Sequence, residues 1–324
     1  MISRPTQQDF FIHSRDFEPA YMRLYRRGTL QARAESAIQA LENCELCPRN
    51  CESRRAKEES GVCEMGRYAE VASFGAHHGE EAPLSGWRGS GTIFFAQCNL
   101  RCVFCQNYEV SHFHTRHEVI PETLADMMLD VQLMGCHNVN LVSPGHVVPQ
   151  ILEALVIAIE KGLRLPLVYN TSGYDALRTL KLLNGVVDIY MPDFKFWNAE
   201  QSRKYLRAAD YPQVTRTAIR EMYRQVGDLK LDENHIARHG LIVRHLVMPG
   251  ELADTGEILH HLAQNVSPNT YVNLMDQYYP AGKVDEDHYE NLNRRITPEE
   301  YERALKIAQA AGLWRIHDHE HSPQ

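Results

Sequence analysis

Hydrophobic and polar residues follow two alternating periods along the chain from residue 91 onward. Short apolar runs of strand length are followed by longer segments in which apolar residues recur every three to four positions, as on one face of a helix. The predicted strands lie near 92–97, 138–143, 166–171, 186–191, 241–248 and 270–275. The predicted helices lie near 121–135, 147–162, 174–183, 199–225 (as two helices) and 251–265. Because strands that alternate with helices pair in parallel through crossover helices, this pattern predicts an α/β fold with a parallel sheet.

The two ends of the chain differ from this alternating region. Residues 18–42 carry helical periodicity, and a cysteine-rich segment follows them. The segment that starts at Thr297 has the spacing of a capping box and predicts a helix over 298–311. We expect three parts, which are a helical and Cys-rich extension (1–90), a core (91–282) and a C-terminal helix with its tail (283–324).

Composition indicates where the protein is located and which classes of partner it binds. The chain has 324 residues and a formal net charge of −8, which gives no basic field to attract nucleic acid. No stretch approaches the roughly 20 apolar residues that cross a bilayer, and the N-terminus is polar. Seven of the eight cysteines fall in two tight groups, a pattern that indicates metal binding in a reducing cytoplasm. We expect a cytoplasmic protein with no nucleic-acid or membrane partner.

Three cysteines directly after the first predicted strand carry the clearest chemistry. Cys98, Cys102 and Cys105, here called the triad, have the spacing C-x3-C-x2-C, so their thiolates can converge on one soft metal centre. A four-iron cluster takes four ligands, so three protein thiolates leave one iron open for another molecule. A zinc site completed by a nearby histidine is the alternative that the spacing leaves open.

The triad, with the aromatic Phe104 directly before its third cysteine, resembles the signature of the radical SAM superfamily. The resemblance implies that the triad holds a 4Fe–4S cluster whose open iron binds S-adenosylmethionine (SAM). It also implies reductive cleavage of SAM to methionine and a 5′-deoxyadenosyl radical, with the electron supplied by a flavodoxin or ferredoxin. Six strand–helix units are too few for a full eight-fold barrel, and the resemblance implies a partial (β/α)6 barrel of the TIM type.

The ends of the later strands resemble the pyruvate formate-lyase activating enzyme branch of that superfamily, over roughly residues 90–280. The third-, fourth- and fifth-strand motifs of that branch fall on Asn170, on Asp193 with Lys195, and on Arg244. After the second strand the branch carries a Gly-Gly-Glu motif. Here the segment from Ser143 to His146 takes that place, so the match is positional and the Glu is missing.

The resemblance and the residue types together indicate a set of SAM-binding residues. Lys195 is expected to pair with the SAM carboxylate, and Asp193 to accept a hydrogen bond from its amino group or a ribose hydroxyl. Phe104 is expected to pack against the adenine. The predicted cofactor-binding residues are Phe104, Ser143, His146, Asn170, Asp193, Lys195 and Arg244.

A second set of cysteines precedes the core. Cys44, Cys47, Cys51 and Cys63, here called the N-terminal cysteine group, have the spacing C-x2-C-x3-C-x11-C. Four thiolates complete a tetrahedral zinc site or hold an auxiliary iron–sulfur cluster. The spacing does not decide between these two, so both stay open.

Taken together, the cysteine spacing, the strand-end residues and the resemblance that they carry imply a radical SAM oxidoreductase. By the resemblance, its radical abstracts hydrogen from a backbone glycine of a partner, as in a glycyl-radical-enzyme activase. Modification of a small molecule or a peptide is the alternative within catalysis, because the Glu after the second strand is missing. A non-catalytic interaction protein with zinc in both cysteine sets is the alternative of another class.

Overall fold

The computed structural model of the chain describes residues 7–113 and 117–317, so residues 1–6, 114–116 and 318–324 of the predicted parts lie outside the described residues. The strands are β1 (Ala69–His77), β2 (Ser90–Phe95), β3 (Glu118–Val119), β4 (Val139–Val142), β5 (Leu167–Thr171), β6 (Ile189–Pro192), β7 (Lys230–Leu231), β8 (Ala237–Leu246) and β9 (Tyr271–Met275). The helices are α1 (Ala20–Arg26), α2 (Thr29–Gln39), α3 (Ala82–Ser85), α4 (Tyr108–His112), α5 (Pro121–Leu133), α6 (Val148–Glu160), α7 (Leu177–Leu183), α8 (Ala199–Leu206), α9 (Tyr211–Val226), α10 (Thr255–Asn265) and α11 (Pro298–Ala310). Within the described ranges, none of these helices has the length and apolar character needed to span a membrane.

Six strands form one parallel sheet in the order β2-β4-β5-β6-β8-β9. At least one helix lies in the connection between each of these strands and the next. Among the described residues, β2 and β9 do not pair, so the sheet stays open. The fold is therefore a mixed α/β fold with a partial (β/α)6 barrel of the TIM type, and the six strands predicted from the sequence are confirmed.

The barrel strands are buried on both faces, which explains their nearly continuous apolar character. All five residues of β5 are buried. Tyr169 and Tyr190 belong to the large core cluster that also contains the helices, whereas Val168 and Met191 belong to a smaller separate cluster. Because neighbours along a strand point to opposite faces, the smaller cluster lies on the inner face of the barrel.

The N-terminal extension also contributes strands, which the sequence pattern does not predict. β1 pairs antiparallel with β2, and β3 pairs antiparallel with β1. Since β1 precedes residue 90, the extension is more than a helical and Cys-rich segment. Within residues 18–42 the helical periodicity is divided between α1 and α2, because Gly28 takes a left-handed φ of +69° between them.

A short segment around α3 fills the amino-terminal end of the barrel. Leu84 is fully buried in the inner-face cluster. Its carbonyl accepts a hydrogen bond from Asn138 Nδ2 at 2.9 Å. Because Asn138 stands immediately before β4, this contact places α3 where the strands begin. We call residues 80–86 the plug.

We expect Leu84→Ala to lower the free energy of unfolding by about 2–5 kcal/mol, because it leaves a cavity in a closely packed cluster. Urea unfolding followed by circular dichroism measures this loss. Leu133→Ala is the matched control, since Leu133 is 82% exposed at the end of α5. Equal stability of the two variants would show that the plug does not pack the barrel.

Candidate functional site

The triad lines one cavity at the carboxyl ends of the barrel strands. Its three cysteines lie in the loop between β2 and α4, and the cavity has a volume of about 220 Å³. Parallel α/β barrels gather their active sites at this end, where the loops after the strands meet. The structure therefore brings the three predicted cysteines together at the place where this fold collects its chemistry.

Hydrogen-bond donors point at two of the triad sulfurs. The backbone N–H of Leu100 donates to Cys98 Sγ at 3.3 Å. The hydroxyl of Ser111 donates to Cys105 Sγ at 3.2 Å. Hydrogen bonds to the sulfurs are one of the means by which a protein tunes an iron–sulfur cluster. These two donors suit sulfurs that carry negative charge.

Burial acts on the ionisation of the triad. It raises the pKa of the Cys98 and Cys102 thiols, and the Lys195 ammonium opposes this rise at both. A bound metal centre deprotonates a coordinating thiol outright, because its positive charge replaces the lost solvation. Three thiols around one cavity, with donors directed at their sulfurs, therefore fit a 4Fe–4S cluster.

Arg49, which lies in the chain between Cys47 and Cys51, holds the loop that carries the triad. Arg49 Nε donates to the Asn99 carbonyl at 2.9 Å, and Nη2 donates to the Leu100 carbonyl at 3.1 Å. Arg49 Nη1 donates to the Arg207 carbonyl at 2.6 Å. One side chain thus ties the triad loop both to the segment after α8 and to the N-terminal cysteine group.

The lining of the same cavity also carries a connected polar and charged cluster, here called the ion network, formed by Asn170, Asp193, Lys195 and Arg244. Lys195 Nζ donates to Asp193 Oδ2 at 2.6 Å, and Arg244 Nε donates to Asp193 Oδ1 at 2.7 Å. Arg244 Nη2 donates to Asn170 Oδ1 at 2.7 Å. Burial tends to raise the pKa of Asp193, but the charges of Arg244 and Lys195 outweigh it and lower that pKa. Asp193 is therefore an ionised carboxylate held between two cations.

Phe104 and Ser143 also line the cavity. Phe104 is buried, and its ring lies edge-on to Phe196 at 5.8 Å between ring centres. Ser143 takes a left-handed φ of +59°, and its backbone N–H donates to the Asn170 carbonyl at 2.9 Å. The turn after β4 is thereby tied to the end of β5.

Among the predicted SAM-binding residues, His146 is the one that does not line the cavity. Its Nε2 lies 3.0 Å from the Ala96 carbonyl, and its own carbonyl accepts from Arg55 Nη1 at 2.7 Å. Burial lowers the pKa of His146 to about 4, so the ring is neutral and donates to Ala96. The side chain supports the loop before the triad.

Two carboxyl groups that the sequence reasoning missed, Glu80 and Glu81, reach the ion network from the plug. Their side chains are 8% and 4% exposed, and they lie 3.9 Å and 3.8 Å from Arg244 Nη1. Asn273 Nδ2 donates to Glu81 Oε1 at 2.9 Å. Both residues precede the first predicted strand. The only signal in the sequence is that two glutamates stand next to each other shortly before Pro83. The network is therefore larger than its strand-end members.

Burial, together with the neighbouring charge of Glu81, raises the pKa of Glu80 to about 8, from 4.5 in the absence of these effects. Arg244 opposes the rise and Asp193 adds to it. Below pH 4.5 Glu80 is protonated both folded and unfolded. Between pH 4.5 and 8 only the unfolded chain releases the proton. Ionisation therefore favours the unfolded chain, and the contribution of Glu80 to the free energy of unfolding falls as the pH rises.

Glu80→Gln should therefore gain stability relative to the parent as the pH rises from about 5 to about 8. Thermal unfolding across that range gives the difference in Tm at each pH. Glu302→Gln is the matched control, because the Glu302 side chain is 65% exposed on α11. A difference in Tm that does not change with pH would mean that Glu80 is ionised in the folded protein.

The N-terminal cysteine group lies outside the cavity lining. Cys44, Cys47 and Cys63 are buried, Cys51 is half-buried, and the thiols are free. In neither cysteine set, nor elsewhere in the described residues, do three or more His, Cys, Asp or Glu side chains gather into a site for a metal ion. Zinc or an auxiliary cluster at this group therefore stays a prediction.

Comparison with known proteins identifies the family. The sequence model of the family described as "Radical SAM superfamily" matches residues 92–262 of this chain. This range includes the triad and the ion network. An uncharacterised protein of Methanocaldococcus jannaschii is 33% identical over 298 residues, covering 89% of this chain and 81% of that protein. The solved structure of the cobalamin-dependent S-adenosylmethionine radical enzyme OxsB with aqua-cobalamin bound is 12% identical with a TM-score of 0.40, covering 70% of this chain but only 31% of that one. The chain belongs to the radical SAM superfamily.

Proposed function

We propose that the triad of this chain holds a 4Fe–4S cluster and that the ion network binds SAM beside it. Membership of the superfamily supports an enzyme that cleaves SAM by radical chemistry and implies both cofactors. The observation that carries the residue assignment is that the triad and the ion network line the same cavity. This arrangement disfavours a non-catalytic zinc protein, which has no use for a charged wall facing its thiols.

The wall residues can divide the recognition of SAM among them. Lys195 presents an ammonium to the cavity and pairs with a carboxylate, and Asp193 accepts from an amino group or a ribose hydroxyl. Arg244 holds Asp193 in place through its hydrogen bond, and Asn170 in turn accepts a hydrogen bond from Arg244. Phe104 offers an apolar face for the adenine.

When bound, the cluster supplies one electron to SAM, which yields methionine and a 5′-deoxyadenosyl radical for hydrogen abstraction. The chain's own residues keep the reacting groups together. Because the cavity wall is charged, hydrogen-bonded and largely buried, it orients a zwitterionic ligand without reorganising when the ligand arrives. The hydrogen bonds of Arg49 hold the triad loop in the same way, so that the thiols also keep their positions when the ligand arrives.

For the substrate we propose a backbone glycine of a partner glycyl radical enzyme, with a flavodoxin or ferredoxin as reductant. The resemblance of the strand ends at Asn170, Asp193, Lys195 and Arg244 supports this assignment. The eight free thiols support placement in a reducing cytoplasm.

A small-molecule or peptide substrate is the second candidate, and buried polar atoms on the inner face of the barrel favour it. Glu81 Oε2, Asn273 Oδ1 and both amide atoms of Asn140 have no hydrogen-bond partner among the described residues. Buried polar atoms are normally paired, so these atoms are suited to a small polar ligand or to ordered water.

Anaerobic turnover tests the proposal. The reconstituted protein is reduced with dithionite and mixed with SAM, 5′-deoxyadenosine is quantified, and iron is counted on the same sample. Formation of 5′-deoxyadenosine supports the core assignment, and its absence from cluster-loaded protein, with or without added substrates, contradicts it. A glycyl radical signal in an added partner enzyme, recorded by electron paramagnetic resonance, supports the activase. Turnover stimulated only by small molecules or peptides supports the second candidate.

A further inference from the structure

The backbone folds the segment that carries the N-terminal cysteine group back on itself. The Cys44 N–H donates to the Ser53 carbonyl at 3.0 Å, and the Glu52 N–H donates to the Cys44 carbonyl at 2.9 Å. A Cβ at Gly61 would overlap Cys51 Sγ, so only glycine allows the chain before Cys63 to pass this close. These contacts bring the later cysteines back toward the first two.

A buried arginine contacts this folded segment. Arg55 is 1% exposed. Its Nη1 lies 3.8 Å from Cys44 Sγ and donates to the His146 carbonyl at 2.7 Å, and its Nε donates to the Gly66 carbonyl at 3.2 Å. Its Nη2 is buried and has no hydrogen-bond partner among the described residues. In the part of the chain that the structure describes, the partners of Arg55 are carbonyl oxygens and a thiol, and no carboxylate lies within ion-pair distance of its guanidinium.

An isolated buried cation is costly, because burial removes the water that solvates it. Four thiolates around a divalent zinc ion carry a net negative charge, and so do four thiolates around an oxidised iron–sulfur core. Either centre would supply the anion that Arg55 lacks. Conversely, Arg55 would supply the cation that a buried four-thiolate centre needs.

We propose that the N-terminal cysteine group binds a metal centre through four thiolates and that Arg55 is its buried counter-cation. The sulfurs as described are not gathered around a single ion. Binding therefore draws them inward, with the Arg55 guanidinium remaining beside Cys44. The centre is separate from the proposed function, since none of these residues lines the triad cavity.

The experiment removes the triad so that any remaining metal belongs to this group. The full chain with Cys98→Ala, Cys102→Ala and Cys105→Ala combined is purified anaerobically and divided. One portion receives zinc and the other receives iron and sulfide, and metal per chain is counted in each. Cobalt replaces zinc in a third portion, because its absorption bands report tetrahedral thiolate ligation. Failure of SAM chemistry has no influence on these readouts.

We expect this triad-free protein to retain one metal centre, and a further Cys44→Ser change to remove it. Retention after zinc loading alone assigns a zinc site, whereas retention of iron with sulfide assigns a cluster. No binding in either portion by a protein whose circular dichroism matches the parent would overturn the proposal.

Substitution of Arg55 tests the counter-cation. In the triad-free protein, Arg55→Met should weaken metal affinity by about ten- to a hundredfold in competition with a chelator, the range found for partners that surround metal ligands. Arg55→Lys keeps the charge and should retain most of the affinity, even where the Met variant folds poorly. Arg54→Met is the matched control, because the Arg54 side chain is 57% exposed and pairs with Glu59. Affinities that are equal in the Arg55→Met, Arg55→Lys and Arg54→Met proteins would overturn the assignment of Arg55.

Discussion

Cys102→Ala is expected to abolish the formation of 5′-deoxyadenosine while leaving the barrel folded. Two remaining thiolates do not hold a four-iron cluster in place, and the fold does not rest on this one side chain. Because changes to groups that only surround a metal ligand already cost 10–100-fold, loss of a ligand should lower turnover by more than about a hundredfold. Iron content, 5′-deoxyadenosine and circular dichroism are measured on the same anaerobic preparation.

Cys136→Ala is the matched control for this change. Cys136 is a buried thiol between α5 and β4, outside both cysteine sets and outside the cavity lining. Its replacement costs some packing but should leave the cluster and turnover near the parent level. Normal turnover by the Cys102→Ala protein would refute the triad assignment, and loss of turnover in both variants would point to a general loss of structure.

The barrel could be predicted from local sequence because each of its parallel strands is a short apolar run followed by a helical segment. β1 could not be predicted this way. Its first residues are buried and its later residues are largely exposed, so it shows neither a continuous apolar run nor a strict alternation. Its place in the sheet is decided by pairing with β2. The spacing of apolar residues within one segment does not predict such a contact between two segments.

The candidate site shows a similar division. The residue types at 193, 195 and 244 predicted a charged site, but not that one carboxylate bridges both cations. Glu80 and Glu81 escaped prediction because the plug approaches Arg244 from the opposite end of the barrel, through tertiary packing. Looking for polar residues directly after predicted strands finds side chains at the carboxyl ends of those strands. It does not find side chains that reach the site from the amino-terminal end of the barrel.

Lys195→Met should separate SAM binding from cluster binding. Lys195 lines the cavity, and its ammonium pairs with Asp193, which keeps Arg244 as a second partner when Lys195 is removed. A hydrogen bond to a charged group contributes about 1.5–3 kcal/mol, so SAM affinity should fall about ten- to a hundredfold. Iron content should stay at the parent level. Lys306→Met is the matched control, because the Lys306 side chain is 76% exposed on α11.

Asp193→Asn should lower the stability of the fold as well as SAM binding, because it leaves two buried cations without their shared carboxylate. Removing one partner of a buried ion pair lowers the free energy of unfolding by about 3–5 kcal/mol. Urea unfolding, with SAM affinity measured by equilibrium dialysis on cluster-loaded protein, distinguishes the two substitutions. If Lys195→Met is stable but binds SAM poorly and Asp193→Asn is unstable, then Lys195 contacts the ligand and Asp193 organises the wall. Parent-level SAM affinity in Lys195→Met would instead place the SAM carboxylate on another cation, and Arg244 is the one that remains in the network.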